Sequence, residues 1–162
     1  MKRLALAVLF TICIASLASA QATRGYIYFA PGQVRCCDGY SETFLGGGGG
    51  AKYIHSSGAG LGAEIGILGP KEDFSDGYAG IFSLNPYYVI KTKNSKVEPF
   101  VTGGYSRTWR GDADLNWFNF GGGVDYWFVP KGAVTLEFRH HITSDEGDRI
   151  QLWTVRIGVS FR

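Results

Sequence analysis

The residues of this chain best suited to chemistry lie close together near the C-terminus. A histidine and a hydroxyl group two positions apart on a strand share one face, so that the imidazole can activate the hydroxyl as a nucleophile. His141 and Thr143 have this spacing, whereas His140 is followed at the same spacing by Ile142, which cannot act. Ser144 lies four positions beyond His140. A hydrolytic site is therefore a candidate, and it depends on which strand face each residue occupies.

Two further reactive groups are the adjacent thiols of Cys36 and Cys37. Neighbouring cysteines cannot join distant strands, which leaves a reduced pair, a strained local disulfide or an intermolecular link. No other ligands stand at a spacing suited to a metal ion, and the run Gly46–Gly50 lacks the following Lys-Ser/Thr and helix of a phosphate-binding loop. We therefore predict no metal site and no cofactor, and we interpret the glycine run as a tightly curved strand.

The N-terminus has the character of a targeting segment. Met1-Lys2-Arg3 is positively charged, Leu4–Leu17 is apolar, and Ala18-Ser19-Ala20 supplies small residues at the cleavage position. The apolar stretch is shorter than the roughly 20 residues of a membrane-spanning helix. The sequence predicts a signal peptide at residues 1–20, cleaved after Ala20 and followed by one domain at residues 21–162; a retained anchor is the alternative.

Beyond residue 20, runs of alternating character separated by turn residues indicate β-strands. Glycine supplies 24 of the 162 residues, aromatic residues supply 15%, and charged residues only 19%. The pattern predicts eight strands, at residues 24–31, 43–54, 59–68, 77–90, 97–109, 114–128, 133–143 and 149–161. Short links alternate with longer ones, such as Pro31–Glu42 and Gly69–Asp76, as in outer-membrane barrels with short periplasmic turns and longer outer loops.

The two faces of these strands differ in size and polarity. One face is bulky and apolar, and the other carries glycines and isolated charges. An eight-stranded barrel holds little beyond side chains, so the bulky face must meet lipid and the small face must line the lumen. A soluble β-domain would expose wide apolar stripes, which monomers avoid. The sequence therefore predicts an all-β fold, an eight-stranded antiparallel up-and-down transmembrane β-barrel.

Charged residues on the inward faces point to a plugged lumen. Because an unpaired charge there is costly, three cations and three anions are expected to form ion pairs. A gated pore whose pairs exchange partners is the alternative. The predicted network consists of Lys52, Glu64, Asp125, Glu137, Arg139 and Arg156, with Glu98 nearer the periplasmic end.

Aromatic residues at the strand ends predict a belt at each lipid–water boundary. The residues assigned to the periplasmic belt are Tyr26, Tyr53, Tyr88, Tyr126, Phe128 and Phe161. Those assigned to the outer belt are Phe44, Tyr78, Trp109, Phe118 and Trp153.

The stretches Pro99–Tyr105, Asn119–Phe128, Leu136–Arg139 and Arg156–Arg162 resemble the small outer-membrane β-barrel domain family, which is similar to the eight-stranded part of OmpA-type proteins. The resemblance implies a Gram-negative outer membrane, contact with its lipid and lipopolysaccharide, and assembly by the barrel-assembly machinery. That machinery reads an alternating C-terminal segment with a terminal aromatic residue. The corresponding residues here are Trp153, Val155, Ile157, Val159 and Phe161.

The enzymatic alternative is a lipid A deacylase resembling the PagL type, which uses a His with a Ser two residues on. Thr143 replaces that Ser after His141, and alternation aims both residues at the lumen, away from lipid. We therefore predict a non-enzymatic protein with a structural or surface-interaction role. The net charge of only +2 argues against a nucleic-acid partner. An unidentified surface ligand is expected to contact the first outer loop, at Gln33, Arg35, Cys36, Cys37, Asp38, Gly39 and Tyr40.

Overall fold

The computed structural model of the chain describes residues 23–36, 39–92, 96–111, 113–145 and 148–162. The predicted signal peptide at residues 1–20 lies outside this range, as do Cys37 and Asp38. The strands are β1 (Thr23–Phe29), β2 (Gly32–Arg35), β3 (Ser41–Ile54), β4 (Ala59–Pro70), β5 (Ala79–Val89), β6 (Val97–Arg110), β7 (Ala113–Val129), β8 (Gly132–Asp145) and β9 (Asp148–Phe161), with one short helix, α1 (Phe74–Gly77), before β5.

The strands form one closed antiparallel sheet. From β3 to β9 each strand pairs with the next, and β9 closes the sheet on β1 and β2. Both β1 and β2 also pair with β3, so together they make one barrel strand. The barrel therefore has eight strands, which confirms the predicted fold. Closure leaves no unpaired edge among the described strands, as hydrocarbon requires.

The first strand and the first outer loop differ from the prediction. Strand pairing stops at Phe29 and resumes at Gly32, because Pro31 has no N–H to donate to the ladder. The Pro31 carbonyl still accepts a hydrogen bond from the Val155 N–H at 3.0 Å, which keeps the interrupted strand against β9. Half of the predicted loop at residues 31–42 is therefore strand, and only residues 36–40 connect β2 to β3.

The second outer loop contains a helical turn that the sequence pattern did not predict. The Gly77 N–H donates to the Asp73 carbonyl at 2.8 Å, and β5 begins at Ala79, two residues later than predicted. One turn is too short for a helical apolar period to show. No described residue belongs to a helix long and apolar enough to cross a bilayer.

The last two outer links are also shorter than predicted. The strands on both sides continue toward the tip, so that residues 111–112 join β6 to β7 and residues 146–147 join β8 to β9. Backbone pairing extends as far as Arg110 with Ala113, because neither tip holds a proline that would interrupt the ladder. The lengths of inner and outer links therefore differ less than the sequence indicated.

The barrel has its apolar side chains outside. Phe138, Val155 and Ile157 expose 42–53% of their surface, whereas Glu64 and Arg156 expose 3% and 4%. Glycines on the inward face leave space for the larger side chains that fill the lumen. A Cβ atom at Gly48 would lie 2.9 Å from the Tyr28 hydroxyl, whose side chain crosses the strand there.

Two residues of the predicted aromatic belts are placed wrongly, Phe44 and Tyr26. Phe44 is half-buried and pairs through Gly32 with the inward Thr154, so it faces the lumen. Tyr26 is buried in the lumen, where its hydroxyl donates to Glu64 at 2.9 Å. It alternates with the outward-facing Ile27 and Phe29, so its face follows from the register of β1. Other aromatic residues assigned to the belts are exposed on the outer surface, among them Tyr78, Tyr88, Trp109, Phe118, Tyr126, Phe128, Trp153 and Phe161.

Candidate functional site

The inward face of the sheet brings the six predicted charged residues into one lumen. They lie at alternate positions of β3, β4, β7, β8 and β9, and each is almost fully buried: Lys52, Glu64, Asp125, Glu137, Arg139 and Arg156. Each of them makes at least one ion pair with another of the six. The lumen is therefore the most charged and most buried feature of the described chain.

A first group of contacts lies toward the end of the barrel where β1 begins and β9 ends. Lys52 Nζ donates to Asp125 Oδ2 at 2.9 Å, and the Thr135 hydroxyl donates to Asp125 Oδ1 at 2.7 Å. Arg24 Nη1 lies 3.5 Å from Asp125 and donates to Glu98 at 2.5 Å. Asp125 thus has hydrogen bonds on both oxygens, which is what allows a carboxylate to stay charged inside a barrel.

A second group surrounds Glu64 at mid-lumen. Arg156 Nη1 donates to the two Glu64 oxygens at 2.9 and 3.0 Å, and Arg139 Nη1 donates to Oε1 at 3.2 Å. The Arg139 guanidinium also contacts Glu137, two positions away on the same strand face, with Nε at 2.5 Å. Two guanidinium groups and two carboxylates therefore form one neutral cluster.

Aromatic rings fill the space between these charges. The Arg156 guanidinium lies 4.4 Å from the centre of the Tyr28 ring, and Lys52 Nζ lies 4.5 Å from the centre of the Phe100 ring. Cations over ring faces gain electrostatic attraction without further desolvation of a partner. Phe100 belongs to a buried apolar cluster with Ile54, Tyr87 and Val89.

Toward the outer end, short polar side chains occupy the lumen. The Ser106 hydroxyl donates to Ser83 at 2.9 Å, and Asn119 Nδ2 donates to Ser106 at 2.8 Å. Beyond them, Trp117 Nε1 donates to the Thr108 hydroxyl at 3.0 Å. The interior is thus packed along its length by hydrogen-bonded groups.

Sequence reasoning missed several members of this interior, among them Arg24 and Tyr26. Both are buried and both contact predicted members of the network, Arg24 through Asp125 and Tyr26 through Glu64. A usable signal was present, because Arg24, Tyr26 and Tyr28 alternate with the large apolar residues Ile27 and Phe29.

The histidine stretch does not assemble a catalytic pair. His141 is buried in the lumen against the edge of Trp117, and the Thr143 hydroxyl donates to the Asn116 carbonyl at 2.6 Å. His140 faces outward and stacks on Trp153, with ring centres 4.2 Å apart. Ser144 is four residues further along β8, about 14 Å away at the usual strand rise, whereas proton transfer needs roughly 3 Å.

The first outer loop presents its polar residues at the barrel rim. Gln33, Arg35 and Tyr40 are exposed, and Cys36 is half-buried and makes no disulfide among the described residues. The Tyr40 hydroxyl donates to Glu42 at 3.0 Å, and this hydrogen bond to a carboxylate raises the pKa of Tyr40. Within the described ranges, no group of three or more His, Cys, Asp or Glu residues is arranged to hold a metal ion.

The last strand places five alternating residues on the lipid-facing surface. Each exposes at least 39% of its surface: Trp153, Val155, Ile157, Val159 and Phe161. Their strand, β9, is the one that closes the barrel on β1 and β2.

Comparisons with known proteins agree with this architecture. Residues 4–162 match the family described as the outer membrane protein beta-barrel domain. A search of curated proteins finds no match. The crystal structure of Neisserial surface protein A is similar, with a TM-score of 0.67 and 14% identity over 86% of this chain and 96% of that one.

Two further structures show the same fold. The N-terminal β-barrel domain of Pseudomonas aeruginosa OprF has a TM-score of 0.53 and 17% identity over 86% of this chain and 98% of that one. The Yersinia pestis attachment invasion locus protein Ail, in complex with the heparin analogue sucrose octasulfate, has a TM-score of 0.51 and 13% identity over 87% of this chain and all of that one. At these identities the likeness concerns the fold alone.

Proposed function

The chain belongs to the outer membrane protein beta-barrel domain family, and from that premise we propose that it is a non-enzymatic barrel with a closed lumen and a structural or surface-interaction role. It crosses the outer membrane as a rigid scaffold, and its outer ends are the parts that meet other molecules. Lipid and lipopolysaccharide surround its apolar face.

The observation that carries the closed lumen is the contact set of Glu64. This buried carboxylate, on β4, holds Arg139 and Arg156 from β8 and β9 on the other side of the lumen. Lys52 and Asp125 join β3 to β7 in the same way. Together these side chains occupy the cross-section through which a solute would have to pass.

A gated pore is disfavoured by the energy of opening. Moving one member of a buried pair away leaves an uncompensated charge, which costs about 3–5 kcal/mol. Glu64, Arg139, Glu137 and Arg156 share contacts, so that a passage requires several of these pairs to separate together. The network therefore supports a plug.

Outer-membrane permeability tests this proposal. The protein is expressed in a Gram-negative host that lacks its major porins, and uptake of a small hydrophilic β-lactam is measured. We expect uptake equal to that of a host expressing no added barrel. An increase that scales with the amount of folded protein would show an open pore and contradict the closed lumen.

For the surface-interaction role, the exposed residues at the tip of the first outer loop are the proposed contact surface. Gln33, Arg35 and Tyr40 stand on paired strand ends or next to them, so that they are presented on a rigid base. A ligand of this surface should lose affinity when Arg35 and Tyr40 are replaced by Ala, with the barrel still folded. Folding is checked by heat-modifiable migration of the detergent-extracted protein.

For biogenesis, we propose that the alternating residues of β9 are read by the barrel-assembly machinery. Supporting this role, the five side chains are apolar, outward and located on the strand that closes the barrel. Phe161 is the last of them and pairs across to Gly25 of β1.

A further inference from the structure

A small cavity lies inside the barrel next to the mid-lumen cluster, which consists of Glu64, Glu137, Arg139 and Arg156. On β8, His141 is the next inward residue after Arg139 toward the outer loops, and it lines this cavity. The cavity volume is about 20 Å³, and one water molecule needs roughly 10–15 Å³. The polar side chains around it are Tyr28, His141, Thr154 and Arg156.

Two buried side chains that line this cavity have nitrogen atoms without a hydrogen-bond partner. His141 is 1% exposed, and neither its Nδ1 nor its Nε2 has a partner among the described residues. Arg156 is 4% exposed and donates from Nη1 to Glu64, but its Nε has no partner in the same part of the chain. Buried polar groups are almost always hydrogen-bonded, so these nitrogen atoms indicate a bound molecule.

The rest of the cavity wall offers these nitrogen atoms little. The Thr154 hydroxyl donates to the Arg139 carbonyl at 3.3 Å, which leaves only its oxygen to accept a further hydrogen bond. The other side chains of the wall are apolar, among them Ala30, Phe44, Leu68, Ile81 and Leu152. The bound molecule must therefore be small enough for this space and must supply the missing hydrogen bonds itself.

The charges around the cavity favour a neutral ligand. The two guanidinium groups of the mid-lumen cluster are balanced by its two carboxylates. A halide would keep that balance only if His141 were protonated, and both ions would then lose their hydration. A neutral imidazole donates from one nitrogen and accepts at the other, so the ligand must also be able to donate and accept.

We propose that this cavity binds a structural water molecule, which accepts a hydrogen bond from Arg156 Nε and bridges it to the His141 imidazole. The hydroxyl oxygens of Tyr28 and Thr154 belong to the same wall, and a buried water typically makes about three hydrogen bonds. The bridge links the mid-lumen cluster to the outer half of β8. It adds to the proposed closed lumen without depending on it, because conductance tests the plug and electron density tests the water.

A crystal structure of the folded full chain, at a resolution that shows ordered water, tests the site. We expect one density peak at about 2.7–3.2 Å from both Arg156 Nε and one nitrogen of the His141 ring. If these nitrogen atoms instead bond directly to other protein groups, with no peak between them, the proposal is overturned.

Bromide-soaked crystals separate water from a halide. We expect no anomalous signal in the cavity, because its charges are already balanced by the mid-lumen cluster. A bromide peak between His141 and Arg156 would assign the site to an anion and overturn the neutral ligand.

A pair of variants shows whether the imidazole holds the water. His141→Phe keeps a ring at this position and removes both nitrogen atoms, so the density peak should be lost. His140→Phe is the matched control, because the neighbouring ring faces outward and stacks on Trp153, and the peak should remain. A peak of unchanged height in the His141→Phe variant would overturn the bridge.

Discussion

Lys52 Nζ and Asp125 Oδ2 lie 2.9 Å apart, although their strands, β3 and β7, face each other across the barrel, four strands apart in either direction. Arg24 on β1 and Glu98 on β6 have the same relation, and so do Glu64 on β4 and Arg139 on β8. These three ion pairs span the lumen along different directions. These ion pairs link opposite sides of the barrel through the lumen, whereas the backbone hydrogen bonds link neighbouring strands around the circumference.

The ion pairs of Glu64 should make a large contribution to the free energy of unfolding. Glu64→Gln keeps the shape of the side chain but leaves Arg139 and Arg156 with Glu137 as their remaining partner in the cluster. Because this uncovers buried charge, we expect the free energy of unfolding to fall by about 3–5 kcal/mol, measured by denaturant unfolding in lipid vesicles.

Glu72→Gln is the matched control, because Glu72 is exposed in the loop before α1. Its effect should stay within about 0.5 kcal/mol. Equal stability of the Glu64 and Glu72 variants would show that the mid-lumen cluster does not hold the barrel together.

Neighbouring glycines of β3 should differ sharply in their tolerance of a side chain. A Cβ atom at Gly48 meets the Gly66 Cα at 2.8 Å and the Tyr28 hydroxyl, whereas at Gly47 only the Tyr28 carbonyl lies within reach, at 3.2 Å. Gly48→Val should therefore cost about 1–3 kcal/mol through overpacking, and Gly47→Val should cost less. The comparison uses the same unfolding assay, and the reverse order of stabilities would contradict the packing described for Tyr28.

We expect this protein to leave lipid A chemically unmodified. Incubation of the folded barrel with hexa-acylated lipid A is expected to release no fatty acid, because the Thr143 hydroxyl on the face of His141 donates to the Asn116 carbonyl and His140 is followed on its own face by Ile142. The measurement is mass spectrometry of the extracted lipid. Release that disappears in a His140→Ala or a Ser144→Ala variant would establish an enzyme.

The C-terminal residue pattern should govern assembly more than stability. Phe161→Ala is expected to lower the amount of heat-modifiable barrel in the outer membrane several-fold, since the terminal aromatic residue is the proposed assembly signal. Phe128→Ala is the control, because Phe128 and Phe161 are both 53% exposed on the lipid-facing surface. An equal loss for both variants would assign the effect to lost lipid contact.

The fold was predictable because alternation fixes which face each residue occupies. A period of two places Phe138, Val155 and Ile157 on one side and Glu64 and Arg156 on the other, whatever the pairing register. The resumption of the strand after Pro31 and the single turn of α1 were not predictable in the same way. Both depend on a few backbone hydrogen bonds, such as the one from Val155 to Pro31, that leave no periodic trace.

The sequence predicted which residues line the lumen better than it predicted which of them contact each other. Alternation brings Lys52 and Asp125 to the same interior, but which charge meets which depends on strand register and on the tilt of the barrel. Tyr26 was misplaced because its position near a strand end outweighed its alternation with Ile27. Arg24 was left out of the predicted network for a related reason, since it lies at the very start of β1.

Ionic current through single barrels tests the closed lumen most directly. The folded protein is inserted into a planar lipid bilayer and held at moderate voltage in concentrated salt. Packed lumen side chains joined by ion pairs predict no current steps above those of the bare bilayer. A stable, reproducible single-channel conductance from the folded wild-type barrel would contradict the account.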